Sequence, residues 1–242
     1  MLRGLLRSLT SAAASAHPKD FSAEQVALYE RLRPFTMTSI ERVSSLVTSI
    51  EYLCANRIEG PIVECGVWRG GSMMAVALTL QRLGDTSRDL YLLDTFEGMS
   101  APTEKDKDVD GRSAAELLAE QDKSVAESVW CAASLDDVRT NLASTGYPAS
   151  KMHFIKGRVE QTIPGDLPGA IALLRLDTDW YESTLHELNH LYPRLAGNGI
   201  LIIDDYGHWE GAKRAVHEYF EAQPHKPLLQ RIDYTGRLII KP

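Results

Sequence analysis

Cysteine is scarce in this 242-residue chain: Cys54, Cys65 and Cys131 are the only three, with no Cys-x-x-Cys spacing. That pattern excludes a disulfide framework and a thiolate zinc site, and the three read as reduced thiols. No apolar run reaches the roughly 18 residues that a spanning helix requires, so no membrane segment is expected. Basic residues are in deficit, 26 Lys and Arg against 33 Asp and Glu, which gives a formal charge of −7. Without a surplus of cations to neutralise phosphates, a nucleic-acid partner is not expected either. Aromatics make up only 7%, yet 44% hydrophobic and 24% charged residues is an ordinary globular composition and argues against global disorder. At this length one α/β domain is the default.

Residues 1–16 (MLRGLLRSLTSAAASA) contain no acid, and Arg7 cuts their apolar middle short. A secretory signal needs a longer apolar core; an organelle transit peptide fits a little better, and a short amphipathic helix or frayed end is the plain expectation. The chain is therefore read as cytoplasmic.

Residues 18–57 predict helices, with Pro34 as an interruption and Ile40, Val43, Leu46, Val47 and Ile50 at helical spacing. Beyond them, short apolar runs alternate with amphipathic stretches. The runs are Pro61–Cys65, Asp89–Leu93, Met152–Ile155, Ile171–Leu176 and Gly199–Ile203; the stretches are Ser72–Leu83, Leu135–Ala143 and Ser183 to about Leu195. This rhythm predicts a Rossmann-like, doubly wound, mostly parallel sheet. Pro227–Ile232 and Arg237–Ile240 predict a closing antiparallel hairpin. Residues 1–57 are read as a helical segment of the same domain, and 58–242 as the main body with a lid at about 99–134. A helical-looking stretch runs from Ser113 to Trp130 within that lid, and an insertion so long is often a cover over a site.

The first strand runs into Glu64-Cys65-Gly66-Val67-Trp68-Arg69-Gly70-Gly71-Ser72. A glycine-rich turn opening a helix is where such sheets bind nucleotide-like ligands. The dinucleotide fingerprint fails because Trp68 stands where its second glycine belongs, and the P-loop fails because Ser72 stands where its Lys belongs. Glu64 beside the turn suits a cationic ligand, and Asp94, ending the second strand, is placed to accept from ribose hydroxyls. S-adenosylmethionine, an adenosine with a cationic amino-acid tail and no phosphate, satisfies both. Glycines serving helix–strand packing alone are the plainer alternative.

The fourth strand ends in Asp177-Thr178-Asp179 and the fifth in Asp204-Asp205-Tyr206-Gly207-His208. Residues two apart in an extended segment share a face, and parallel strands end at one edge, so four carboxylates gather there. Their repulsion is relieved by a hard cation, Mg²⁺ first and Mn²⁺ or Ca²⁺ second. Aspartyl phosphatases and Asp-x-Asp glycosyltransferases fit less well: Tyr181 stands where the former place Thr or Val, and a nucleotide sugar does not explain Glu64 with Asp94. Asp205 as the cap of a helix near Gly211 is the plain alternative. Asp106-x-Asp108-x-Asp110-Gly111 imitates half a calcium loop, but Leu117 occupies the position of its bidentate Glu. It is read as a solvated acidic lid.

These stretches, with Pro34–Ser39 and Asp94-Thr95-Phe96-Glu97-Gly98-Met99, resemble the macrocin O-methyltransferase family of sugar O-methyltransferases from about Arg33 to the end. The resemblance implies a Mg²⁺- and S-adenosylmethionine-dependent enzyme of natural-product biosynthesis. It implies Asp177, Asp204 and Asp205 as metal ligands and Asp179 as general base, a division that spacing alone cannot make. It also implies Met37 and Thr38 at the methionine moiety, alongside Glu64, Gly66, Ser72 and Asp94 as the cofactor's other contacts. His208 is a substitute base or a neighbour of the metal. The expected partner is a small molecule with vicinal hydroxyls, most simply a glycoside; a catechol-like diol offers the same chelate, a non-catalytic S-adenosylmethionine-binding protein is the third reading, and self-association is possible. Between Asp94 and Asp137 there are 12 acids and 4 bases, so the negative charge belongs to the lid region.

Overall fold

The computed structural model describes residues 17–125, 128–165 and 167–242. The expectations for residues 1–16 lie outside them. Eight α-helices occur among the described residues: α1 Ala23–Leu32, α2 Ile40–Ala55, α3 Gly71–Arg82, α4 Ala114–Glu120, α5 Leu135–Ala143, α6 Val159–Thr162, α7 Tyr181–Leu191 and α8 Glu210–Glu221. The strands are β1 Ile62–Cys65, β2 Leu90–Asp94, β3 Met152–Lys156, β4 Ile171–Leu176, β5 Leu195–Ile203, β6 Gln230–Arg231 and β7 Arg237–Ile240. They form one sheet in the order β3-β2-β1-β4-β5-β7-β6. The first five are parallel, and β7 runs antiparallel to both β5 and β6. This is the doubly wound sheet with a closing hairpin that the hydropathy pattern predicts. No helix among the described residues is long and apolar enough to cross a membrane.

β1 and β4 are buried along their whole length, as strands covered on both faces must be. One face packs α2, α3 and α5 around Leu46, Ile50, Met73 and Leu80; the other packs α7 and α8 around Leu188, Val216 and Phe220. Helix α3 reads Met73-Met74-Ala75-Val76-Ala77-Leu78 without a polar face because α1, α2 and α5 pack around it and it shares one core with the sheet. The N-terminal helices thus share the main core. Capping follows the sequence: Ser22 and Ser39 side chains accept from the N–H groups of Gln25 and Arg42.

Several elements differ from the sequence reading. The first strand of the closing hairpin is only Gln230–Arg231 rather than Pro227–Ile232. β5 begins at Leu195 rather than Gly199, because Ala196-Gly197-Asn198 holds no large apolar residue for a hydropathy pattern to register. α7 begins at Tyr181 and ends at Leu191, where Pro193 enters a short 3₁₀ turn. The lid helix is only Ala114–Glu120: the Trp130 indole N–H folds back onto the carbonyls of Leu118 (2.9 Å) and Gln121 (3.1 Å) and closes it early.

The Asp106–Asp110 run is also not the solvated stretch its charges suggest. Asp106 is fully buried; one carboxylate oxygen accepts the Tyr181 N–H at the start of α7 (2.8 Å), and the other accepts the Thr103 N–H (2.7 Å) and hydroxyl (2.9 Å). Gly211 permits this, since a Cβ there would lie 2.1 Å from Asp106 Oδ1. Asp108, also buried, accepts the N–H groups of Asp110 and Arg112, and only Asp110 faces solvent. A small apolar cluster of Leu117, Leu118, Trp180 and Trp209 completes the anchorage. Asp106→Ala orphans these donors and is expected to cost about 1–3 kcal/mol in chemical denaturation, with faster proteolysis inside residues 99–134. Unchanged stability and cleavage would remove Asp106 as the fastener.

Candidate active site

The strand order reverses between β1 and β4, and at the carboxyl edge there a cavity of about 350 Å³ opens. That is where doubly wound sheets hold their ligands. Met37, Thr38, Gly66, Ser72, Asp94, Asp177, Asp179, Asp204, Asp205 and His208 all line it. Glu64 does not. It is 1% exposed beneath the turn, and Arg175 Nη1 donates to its Oε1 at 2.7 Å.

The glycine turn is shaped by chain contacts. Gly66, at φ +80°, lies so close to β4 that a Cβ would stand 1.9 Å from the Asp177 carbonyl oxygen. Gly70, at φ +89°, caps α3, whose first residues Gly71 and Ser72 face the cavity. Asp94 binds this turn to β2: it accepts the N–H groups of Val67 (2.6 Å), Trp68 (3.3 Å) and Phe96 (2.6 Å) while lining the cavity. Burial pushes its carboxyl up and those three donors pull it back.

Asp177 and Asp179 do come together, but not through extended spacing. β4 ends at Leu176, and Asp179 takes φ +65° in a tight corner where the Trp180 N–H donates to the Thr178 carbonyl at 2.7 Å. A non-glycine residue in that region costs about 1–2 kcal/mol. The corner brings carboxylate oxygens of Asp177, Asp179 and Asp205 within 4.8 Å of one another. Asp205 accepts the Asp179 N–H at 3.1 Å and makes no side-chain cap on α8, so the capping alternative does not describe it. Burial, and then the neighbouring charges of Asp177 and Asp204, push the Asp179 carboxyl up to about 7, while its bond to Asp205 opposes the rise. Burial and the Asp179 and Asp204 charges hold Asp205 well above the carboxylate range.

Asp204 is engaged elsewhere. Its Oδ1 accepts from Arg175 Nη2 at 2.5 Å, and its Oδ2 pairs with Arg42 Nη1. Arg175 also donates to Asp177 Oδ2 at 2.6 Å, and Arg42 Nε reaches Asp233 Oδ2 at 3.0 Å. The convergent trio is therefore Asp177, Asp179 and Asp205, with Asp204 standing behind it between two guanidinium groups. Sequence reasoning gave no role to either arginine. The available signal was Arg175 itself, the one charge in Ile171-Ala172-Leu173-Leu174-Arg175-Leu176, every residue of which is buried.

His208 lies at the rim, its ring against Trp209 (5.0 Å) and its Nδ1 3.4 Å from the Tyr234 hydroxyl. Burial lowers its pKa, opposed by Asp108. Three further buried polar atoms of lining residues have no protein partner: Thr38 Oγ1, Trp68 Nε1 and Ser128 Oγ. A bound molecule would satisfy them. Trp68 and Ser128 were not legible as site residues, since a lone indole or hydroxyl in a loop has no spacing to mark it.

The carboxyls titrate with a predictable sign. Asp179 and Glu64 both stand at about 7 when folded, Glu64 through burial against the pull of Arg175, whereas unfolded Asp and Glu release protons near pH 4. From about pH 4 to 7 the folded chain holds protons that the unfolded chain has lost, so stability falls as pH rises. Metal-free protein is expected to lose several °C in Tm between pH 5 and 8. Millimolar Mg²⁺ should restore more at pH 8 than at pH 5; an equal shift at both values would contradict cation binding at these carboxylates.

A carboxylate ring of this kind fits a hard cation. Oxygens on one Mg²⁺ at about 2.1 Å stand no more than about 4.2 Å apart, so three within 4.8 Å converge with a shift of under about an ångström.

Comparison with known proteins places the chain. The sequence profile of the macrocin-O-methyltransferase (TylF) family matches residues 7–240. An 8-demethyl-8-(2,3-dimethoxy-alpha-L-rhamnosyl)-tetracenomycin-C 4'-O-methyltransferase from Streptomyces olivaceus is 35% identical over 201 residues, 83% of this chain and 73% of its own length. A mycinamicin III 3''-O-methyltransferase from Micromonospora griseorubida is 31% identical over 201 residues, 83% of this chain and 76% of its own. Among solved structures, the O-methyltransferase NovP aligns with a TM-score of 0.74 at 28% identity, covering 86% of this chain and 82% of that one. By profile, by sequence and by fold, this chain belongs to the macrocin-O-methyltransferase (TylF) family.

Proposed function

We propose that the chain transfers a methyl group from S-adenosylmethionine to a sugar hydroxyl of a glycosylated natural product, with Mg²⁺ bound at the carboxylate ring. The observation that carries this reading is the convergence of Asp177, Asp179 and Asp205 on a cavity that also holds the glycine turn. The activities of the two relatives, a rhamnosyl-tetracenomycin-C 4'-O-methyltransferase and a mycinamicin III 3''-O-methyltransferase, favour a sugar acceptor. In this reading Asp177 and Asp205 hold the cation and Asp179 is the general base.

The cofactor's cationic sulfonium and ammonium suit a cavity walled by Asp94 and the ring, and its carboxylate suits the N-terminus of α3 at Gly71 and Ser72. Met37 and Thr38 flank the same space, with the unpartnered Thr38 hydroxyl available to the bound molecule. Mg²⁺ held by Asp177 and Asp205 would supply Lewis acidity that makes an acceptor hydroxyl easier to deprotonate. Asp179, aimed into that space from its strained corner, takes the proton. Asp204 pairs with Arg175 and Arg42, and Arg175 in turn orients Asp177. The presence of all four aspartates, three of them converging on the cavity, speaks against a non-catalytic binding protein.

A methyl-transfer assay across glycosides and catechols tests the substrate class. Product on glycosides with vicinal hydroxyls is expected; product on catechols alone would transfer the proposal to the diol reading.

A further inference from the structure

Glu187 lies on α7, outside the lining of the cavity, and no solvent reaches it. A core-facing helix position is ordinarily filled by an apolar side chain, and a carboxyl placed there loses its hydration. Among the described residues it faces no cation: the Thr178 hydroxyl donates to it, at 3.0 Å from Oε1 and 3.2 Å from Oε2, and the buried Cys65 thiol lies on it as well. Thr178 is the middle residue of the corner that joins Asp177 to Asp179. Its carbonyl accepts the Trp180 N–H at 2.7 Å and the Ser183 hydroxyl at 3.3 Å. Asp205 takes the Asp179 N–H at 3.1 Å. Glu187 thus anchors the side chain at the middle of the corner, where the other bonds hold its backbone.

We propose that Glu187 is a positioning residue for methyl transfer: through Thr178 it fixes the left-handed corner that aims the Asp179 carboxylate into the cavity. The inference rests on the reading of Asp179 as the base. It concerns aim rather than binding, so it predicts a loss in kcat with little change in KM.

The test uses full-length protein with Mg²⁺, S-adenosylmethionine and a glycoside acceptor. Glu187→Leu and Thr178→Val remove the bond from either side. Glu187→Gln keeps an acceptor oxygen, Thr178→Ser keeps the hydroxyl, and Asp179→Asn is run in parallel. Glu187→Leu and Thr178→Val are expected to lower kcat about 10- to 100-fold, the scale of a misplacement of about an ångström, with both KM values and the Kd for S-adenosylhomocysteine within about twofold of wild type. Glu187→Gln and Thr178→Ser should stay within about threefold of wild-type kcat. Wild-type kcat in Glu187→Leu or Thr178→Val would overturn the proposal, as would equal loss in Glu187→Gln and Glu187→Leu. So would a loss of cofactor affinity matching the loss of kcat, which marks a merely structural role. Should Glu187→Leu fail to fold, the Thr178→Val and Thr178→Ser pair decides the matter alone. Wild-type turnover in Asp179→Asn would instead refute the base assignment beneath it.

Discussion

Asp179→Asn is expected to lower turnover by about 10²- to 10⁴-fold while leaving cofactor affinity near wild type, the range typical of removing a general base. Asparagine is the informative replacement because Asp179 sits at φ +65°, a region that Asn enters more readily than most residues, so the backbone corner survives the change. Alanine would mix the loss of the carboxylate with added backbone strain. Metal-free, the Asp179 carboxyl lies at about 7, and only its ionised form can accept a proton. Wild-type kcat should therefore rise with pH across an acid limb, and bound cation should move that limb lower by favouring ionised carboxylates. The limb should vanish in Asp179→Asn. A small loss with the limb intact would pass the role to His208, which lines the same cavity.

Arg175→Met is expected to destabilise the fold by about 3–5 kcal/mol, the cost of removing one partner from a buried ion pair. Arg175 is 4% exposed and its guanidinium spans Glu64, Asp177 and Asp204 at 2.7, 2.6 and 2.5 Å. Without it these carboxylates face one another across the strand ends, and domains are typically stable by only about 5–15 kcal/mol. Arg175→Lys should lie between, since an ammonium returns the charge without the planar fork that reaches several carboxylates at once. Urea unfolding measures both variants. A midpoint unchanged in Arg175→Met would show that the carboxylates do not depend on the guanidinium.

The sheet was legible because βαβ alternation is written in hydropathy, and the site because strand-end motifs in a parallel sheet must meet at one edge. Ten residues singled out by sequence line the cavity, eight on the turn and strands at that edge and two, Met37 and Thr38 before α2, through the family resemblance alone. What escaped was how the charges pair. Spacing puts Asp204 beside Asp205, but it cannot show that two guanidinium groups, one from α2 and one from β4, claim the Asp204 carboxylate. Glu64 was read as facing a ligand, and Arg175 on the adjacent strand holds it below the turn. The lid misled for a related reason. A run of acids reads as solvated, yet the free N–H groups at a helix start draw such an acid inward, as Asp106 does at α7. The Asp179 corner was invisible for a third reason: a left-handed Asp is a consequence of packing and leaves no periodic trace.

The central claim is that a cation held at the Asp177–Asp205 ring enables methyl transfer to a sugar hydroxyl. Its most direct test is transfer of a labelled methyl group from S-adenosylmethionine to a glycoside with vicinal hydroxyls, measured before chelation, after chelation and after Mg²⁺ is returned. The account predicts product at first, its loss with the chelator and its recovery with Mg²⁺, with no recovery in Asp205→Ala. Transfer that continues undiminished through chelation would contradict it.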